Sequence, residues 1–168
     1  VPNAPEAMRR GTYVHELTEL LDTNRQIPEI EDPVAEELLA HYKQFVTDYN
    51  PLYHHIEAPV LGAINGLYYA GTADRIGTMH IPGVGDDVPC VIDIKTGVKH
   101  KDHAIQLAAY AHAYYNDNIK NAYGIVVYVK KSLSVTIVTP QNLMNALTTF
   151  AARLQMYYRS IGYDISDD

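Results

Sequence analysis

Hydrophobic positions recur every three or four residues in the first third of the chain, which is the spacing of one face of a helix. A first helix is predicted at residues 9–22, where the apolar stripe consists of Tyr13, Val14, Leu17, Leu20 and Leu21. His15 falls on the side of this helix opposite the stripe. Asp32-Pro33 is typical of a second helix start, because aspartate is a good N-cap and proline fits the first turn. This helix is predicted to end at about Asp48.

After Pro51 the pattern changes to short β-branched and aromatic runs separated by glycine, asparagine and proline, which predicts strands. The predicted strands are Ile56–Gly62, Leu67–Ile76 and Val88–Lys95. Ile64-Asn65-Gly66 predicts a tight hairpin between the first two. These three strands are therefore expected to form an antiparallel meander.

Residues 101–117 return to a helical pattern. Two more strands are predicted at 123–129 and 134–138, and a last helix begins at Thr139-Pro140 and ends at Gly162. The element order ααβββαββα predicts an α/β (α+β) protein with a mixed central sheet of about five strands flanked by helices. The helix between the third and fourth strands allows those two strands to pair in parallel.

Length and composition limit the class of protein. At 168 residues the chain is expected to form one domain, residues 1–168, with a substantial core. The single cysteine, Cys90, excludes a disulfide or an all-cysteine metal cage within the chain. No apolar run approaches the roughly 20 residues that span a bilayer, and no signal peptide is visible. Because the chain begins with Val1 rather than Met, we expect a fragment or a processed form.

Charge is distributed unevenly. The net charge of −7 argues against a broad nucleic-acid-binding surface. A basic cluster nevertheless lies around residues 95–103, and Lys130-Lys131 form a second basic point. The cluster contains Lys95, Lys99, His100, Lys101 and His103. The composition is therefore compatible with a local contact to an anionic substrate.

Asp93 and Lys95 are two residues apart on a predicted strand and so project from the same face, with Ile92 and Ile94 on the other. A carboxylate in this position suits Mg²⁺ or Mn²⁺. The adjacent lysine can orient or deprotonate a water molecule, or neutralise charge that develops on a phosphate. Taken alone, an Asp-x-Lys sequence is more often an exposed ion pair at the end of a strand.

Asp74 favours the metal hypothesis, because it ends a predicted strand that should pair with the strand carrying Asp93. Converging carboxylates that hold one or two metal ions beside a phosphate can stabilise an in-line displacement. The alternative is a turn aspartate that pairs with Arg75.

Four other side chains are weaker candidates. Gln106 and Tyr110 are four residues apart and share one helix face, which either contacts substrate and positions Lys95 or is the polar side of the helix. His15 lies away from the apolar stripe, and a histidine placed so is usually solvated. Glu57, early in the first strand, is an uncertain carboxylate.

Four short segments occur in a fixed order between residues 11 and 110. They are Gly11-Thr-Tyr-Val-His15, Gly71-Thr-Ala-Asp74, Asp93-Ile-Lys-Thr-Gly97 and Gln106-Leu-Ala-Ala-Tyr110. Each segment is short, but the ordered combination resembles the RecB-like branch of the PD-(D/E)XK nuclease superfamily. Ala73 stands where the signature has proline. A lone Cys90 cannot supply the four-cysteine iron–sulfur cluster of many relatives.

The resemblance implies a restriction-endonuclease-like core with one or two Mg²⁺ or Mn²⁺ ions. It implies that the metal ligands are His15, Asp74, Asp93 and the main-chain carbonyl of Ile94. It also implies that Lys95 is the catalytic lysine, acting with Asp74 and Asp93, and that Gln106 and Tyr110 are catalytic residues on the substrate side. Thr96, Lys99 and Lys101, which lie beside this site in the sequence, are the further expected substrate contacts.

The expected function is a metal-dependent deoxyribonuclease that hydrolyses phosphodiester bonds, an exonuclease acting on single strands or DNA ends without sequence specificity. The alternative is a non-catalytic DNA-end-binding or adaptor module on a nuclease-derived fold; hydrolysis of another phosphate ester is a third option. The compact form resembles phage and mitochondrial relatives, or a nuclease domain from a larger chain. We therefore expect a role in DNA repair or recombination within a larger replication or recombination assembly. The expected location is the cytoplasm of a bacterium or a phage-infected host, or alternatively the mitochondrial matrix, with no membrane partner.

Overall fold

A computed structural model describes residues 4–165, so the first and last three residues of the predicted domain lie outside it. The predicted order ααβββαββα is confirmed, with a short 3-10 helix, Asn116–Asn121, after the third α-helix. No helix in the described part of the chain is long and apolar enough to cross a membrane. The elements are α1 (Ala4–Asp22), α2 (Pro33–Tyr49), β1 (Leu52–Ile64), β2 (Leu67–Ile81), β3 (Gly85–Lys95), α3 (Asp102–Tyr115), β4 (Tyr123–Val129), β5 (Leu133–Val138) and α4 (Pro140–Ser160).

The five strands form one mixed sheet in the order β1-β2-β3-β4-β5. All neighbouring pairs are antiparallel except β3 and β4, which are parallel. The predicted meander and the predicted crossover through α3 are both confirmed. β3 is therefore the central strand, with a hydrogen-bonded neighbour on each side.

Two hydrophobic layers cover the two faces of the sheet. The layer beneath α1 and α2 includes Leu17, Leu38, Phe45, Ile92 and Ile94. The layer beneath α3 and α4 includes Val91, Leu107, Ala111, Val126 and Leu143. Because side chains alternate along a strand, Asp93 shares the α3 face with Val91, while its neighbours Ile92 and Ile94 fill the other layer.

Local signals in the sequence position these elements. The Asp32 carboxylate accepts a hydrogen bond from the Val34 N–H at 3.0 Å, which caps α2 as predicted. Asn65 and Gly66 have φ values of 53° and 77°, the left-handed conformations that a two-residue hairpin requires. The predicted β1–β2 hairpin is therefore confirmed.

Several predicted boundaries were wrong, and the one at Asp74 matters most. β2 continues to Ile81, so Asp74 lies inside a long strand rather than at its end. The strand continues because β1 keeps pairing with it past residue 74. Gly77 makes this possible, since a Cβ atom there would lie 2.0 Å from the Leu52 carbonyl oxygen. α1 also begins earlier than predicted, at Ala4.

Candidate metal and catalytic site

Asp93 and Lys95 lie at the carboxyl end of β3, on the face covered by α3. Asp93 is only 4% exposed. The Lys95 Nζ atom is 2.9 Å from Asp93 Oδ2. Burial disfavours the charged lysine, but the Asp93 carboxylate outweighs this effect and raises the pKa of Lys95. The pair thus places a protonated ammonium beside a buried carboxylate.

Asp74 lies on the adjacent strand beside Asp93. The backbone pairing of Arg75 with Ile92 sets this register. Asp74 Oδ2 accepts a hydrogen bond from the Ile94 N–H at 2.8 Å. Burial, and then the closeness of the Asp93 carboxyl group, raise the pKa of Asp74. The two aspartates therefore repel each other when both are ionised, and a cation between them would relieve the repulsion.

His15 reaches this region from α1. Its Nδ1 atom is 3.9 Å from Asp74 Oδ2, and its side chain is one-third exposed. Burial lowers the pKa of His15, which favours the neutral imidazole that metals bind. The backbone of Ile94 also interacts with the imidazole. The predicted metal ligands His15, Asp74, Asp93 and Ile94 are thus neighbours in space.

Periodicity alone placed His15 in solvent, and this expectation was wrong. The buried face of α1 includes Val14, Leu17 and the polar Thr18. Thr18 is completely buried because its Oγ1 atom accepts a hydrogen bond from the Arg75 guanidinium at 3.2 Å. A count of apolar positions cannot detect a threonine that is buried by a partner from another element.

Glu57 becomes part of the site. One ligand atom from each of Glu57, His15 and Asp74 lies within 4.8 Å of the other two. Glu57 has a φ of 51°, an uncommon conformation for a residue other than glycine. Its Oε1 atom is 3.2 Å from Arg75 Nη1. The alternation of side chains along a strand does not predict a left-handed backbone at Glu57. The role of Glu57 was therefore uncertain from the sequence.

The donor set fits a hard divalent cation. The carboxylate oxygens suit both Mn²⁺ and Mg²⁺, and the imidazole nitrogen suits Mn²⁺ better than Mg²⁺. Asp93 Oδ2 is buried and accepts no hydrogen bond from residues 4–165, although the Lys95 ammonium lies beside it. A buried carboxylate oxygen has lone pairs for a further partner beside this ammonium. A metal ion is one such partner.

Gln106 and Tyr110 lie next to Lys95 on α3. Lys95 Nζ donates to Gln106 Oε1 at 3.2 Å, and Gln106 Nε2 donates to the Tyr110 hydroxyl at 2.9 Å. The Tyr110 ring packs on Gly71, where a Cβ atom would be 2.5 Å from Tyr110 Cε1. The chain Lys95–Gln106–Tyr110 thus fixes the lysine from the side opposite Asp93.

The basic residues line two cavities, and Lys99 and Lys130, one from each cavity, both contact the Tyr128 ring. Lys99 and Lys101 border a depression of about 260 Å³ with His103 and Tyr128. Lys99 Nζ is 5.7 Å from the centre of the Tyr128 ring, in a cation–π contact. Neither lysine has a described contact with the site carboxylates. Lys130 instead lies in a second cavity, described next.

A cleft of about 990 Å³ opens at the site between α1, α2 and the turn after β4. Lys95 and Thr96 line the cleft near the carboxylates, and Lys130 with Lys131 line it farther along. Thr96 also contacts α1 closely, since a Cβ atom at Gly11 would be 3.0 Å from its Oγ1. The sequence showed Lys130-Lys131 only as two adjacent basic residues. The turn between β4 and β5 brings them into this cleft.

No family model and no curated protein matches the sequence. Among solved structures, the chain is similar to a crystal structure of a "putative exonuclease" from Eubacterium rectale, with a TM-score of 0.59 and 16% identity over 93% of this chain and 69% of that chain. The structure of SSO0001 aligns with a TM-score of 0.41 and 23% identity over 89% of this chain and 70% of that chain. At 16% identity the first likeness shows the fold alone, and that fold is consistent with a restriction-endonuclease-like core.

Proposed function

We propose that the protein is a Mg²⁺- or Mn²⁺-dependent deoxyribonuclease of the RecB-like PD-(D/E)XK branch, formed as one domain over residues 1–168. The observation that carries this proposal is the meeting of Asp74, from the middle of β2, with Asp93 and Lys95 at the carboxyl end of β3, with His15 and Glu57 beside them. The repulsion between the Asp74 and Asp93 carboxylates destabilises the folded protein. Beside the Lys95 ammonium, the same arrangement is suited to phosphoryl chemistry.

Each residue has a defined role in this proposal. His15, Asp74, Asp93 and the Ile94 carbonyl would hold the ion, with Glu57 as a further carboxylate. The bound ion supplies Lewis acidity toward the phosphate and lowers the pKa of the attacking water. Lys95 neutralises charge on the phosphate, a role supported by the raised pKa that keeps it protonated. Gln106 orients Lys95, and Tyr110 orients Gln106.

The substrate is DNA, bound mainly through its backbone. The cleft brings Lys130 and Lys131 to the same cavity as Lys95, so successive phosphates of one strand have basic partners along it. We propose hydrolysis from DNA ends, in line with the description of the Eubacterium rectale protein as a "putative exonuclease". We propose DNA repair or recombination as the role of this activity.

Digestion of end-labelled single- and double-stranded DNA with added Mg²⁺ or Mn²⁺ tests the proposal. We expect cleavage by the wild-type protein and a loss of about 10²–10³-fold in Lys95→Ala and Asp93→Asn, since each removes stabilisation of transition-state charge. Lys120→Ala is the matched control, because Lys120 is an exposed lysine outside the site. Undiminished cleavage by Lys95→Ala and Asp93→Asn would overturn the assignment. DNA binding without any cleavage would favour the adaptor alternative.

A further inference from the structure

Two cavities meet at the contact between Lys95 and Gln106. Lys95 lines the cleft between α1, α2 and the turn after β4, which we name the basic cleft because Lys130 and Lys131 also line it. Gln106 lines a second cavity of about 440 Å³ between α3 and α4, which we name the aromatic pocket. Lys95 Nζ and Gln106 Oε1 are 3.2 Å apart. A strand that leaves the basic cleft over Lys95 therefore reaches the aromatic pocket next.

Four aromatic residues line the aromatic pocket, together with aliphatic and polar residues. The aromatic residues are Tyr69, Tyr110, Phe150 and Tyr157. Tyr69 is held in place, because its hydroxyl donates to the Ala109 carbonyl at 2.7 Å and its ring meets Phe150 edge-on at 4.8 Å. These fixed rings form a rigid apolar floor that opens to solvent.

Tyr157 stands at the rim of the aromatic pocket with 59% of its surface exposed. Its ring is supported on one side by the edge of Tyr158 at 5.7 Å. Tyr158 is itself anchored, since its hydroxyl donates to the Tyr68 carbonyl at 2.5 Å. An exposed ring that is already positioned loses little conformational freedom when another ring stacks on it.

Arg153 supplies positive charge at the same rim. It lines the aromatic pocket, and its side chain is half exposed. Its Nη1 atom is 3.1 Å from Asp102 Oδ1, which is also exposed. Surface ion pairs of this kind contribute little stability, so a phosphate can compete for the guanidinium.

We propose that the aromatic pocket binds an unpaired nucleobase of the DNA strand whose phosphate lies at Lys95. Tyr157 provides the stacking surface, and Arg153 contacts the phosphate that follows this base. Stacking on tyrosine needs an open base face and does not depend on base identity. The proposed substrate class is therefore single-stranded DNA or a frayed end, without sequence preference. This inference rests on the proposed nuclease function.

Equilibrium binding with labelled oligonucleotides in EDTA, where cleavage is suppressed, tests the inference. The probes are a short oligo(dT) and the same backbone with one abasic residue placed in turn at each position. We expect the wild-type protein to bind the probe that is abasic at one position about tenfold more weakly than oligo(dT). Tyr157→Ala should lose this difference, whereas Tyr157→Phe should keep it.

Tryptophan fluorescence is a second measurement, which keeps the inference testable if Tyr157→Ala does not fold. The chain contains no tryptophan, so Tyr157→Trp introduces a unique fluorophore. Oligo(dT) should quench the emission of this tryptophan. The probe that is abasic at the position identified by the binding measurements should not quench it. Val84→Trp, in the distant β2–β3 turn and 49% exposed, is the control and should not respond.

The outcomes separate this inference from the nuclease proposal. If the protein cuts DNA in a Lys95-dependent manner but the abasic difference is absent from the wild type or persists in Tyr157→Ala, the stacking site is refuted and the nuclease function stands. If the wild-type protein neither binds nor cuts DNA, both are refuted.

Discussion

Arg75 Nη1 lies 3.2 Å from Glu57 Oε1, and it reaches there from a completely buried position. The same guanidinium is 2.9 Å from Asp22 Oδ2 and 3.2 Å from Thr18 Oγ1. One buried cation therefore joins α1 to a carboxylate that borders the candidate metal site. The Asp22 carboxylate also accepts from the Tyr42 hydroxyl, which links α2 into the same network.

Arg75→Met should destabilise the protein strongly, because it leaves Asp22 buried without its charged partner. Breaking a buried pair from one side typically costs about 3–5 kcal/mol in the free energy of unfolding. Urea unfolding followed by circular dichroism measures this. Arg9→Met, at an exposed position of the same chain, is the control and should stay within about 0.5 kcal/mol of wild type. A similar small change in Arg75→Met would show that the network contributes little.

Metal addition should stabilise the wild-type protein. Binding to the folded state alone raises the free energy of unfolding by about 2.7 kcal/mol at a metal concentration 100 times Kd. Thermal unfolding with Mn²⁺ and again with excess EDTA should therefore give a higher Tm with the metal. His15→Ala and Asp93→Asn should reduce this difference, and Glu29→Gln, on an exposed loop, should not. An equal metal response in all four proteins would place the ion elsewhere.

Gly71→Ala should lower cleavage activity with a smaller effect on stability. The new methyl group would lie 2.5 Å from Tyr110 Cε1, so the ring must move and Gln106 loses its partner. We expect about a tenfold loss of kcat, of the size that a misplaced catalytic group causes. In a Tyr110→Ala background the same substitution should have no further effect on kcat. Additive losses would mean that Gly71 acts by another route.

Cys90 should make stability fall at alkaline pH. Burial raises the pKa of its thiol from 9.0 to about 12 in the folded protein. Between these values the unfolded chain loses the thiol proton while the folded chain keeps it, so rising pH favours unfolding. The wild type should therefore lose up to about 1.4 kcal/mol per pH unit relative to Cys90→Ala in that range. Paired urea titrations at pH 8, 9, 10 and 11 measure the difference, and a pH-independent difference would contradict the prediction.

Local chemistry predicted much of the fold. Asn65-Gly66 defined one hairpin, Asp32-Pro33 defined a helix start, and strand alternation separated Asp93 from Ile94. These features depend on residues that are close together in the chain, and so they can be predicted from one sequence. The same is true of the Gln106–Tyr110 contact, which spans one helical turn.

The features that sequence reasoning missed depend on partners far along the chain. Thr18 is completely buried in contact with Arg75, and His15 on the same helix lies near Asp74. Glu57 joins the site through a left-handed backbone conformation that its residue type does not favour. The position of Lys130 in the basic cleft depends on how the β4–β5 turn packs near α1 and α2.

The central place of β3 has a consequence for how the protein fluctuates. Amide hydrogens of a strand paired on both sides exchange with solvent only when large parts of the protein open, whereas edge strands exchange through smaller openings. Asp93 and Lys95 are therefore carried by the segment that should open last. Smaller openings are expected in the surrounding helices and turns, so the spacing of Asp93 and Lys95 should persist as long as the native state itself.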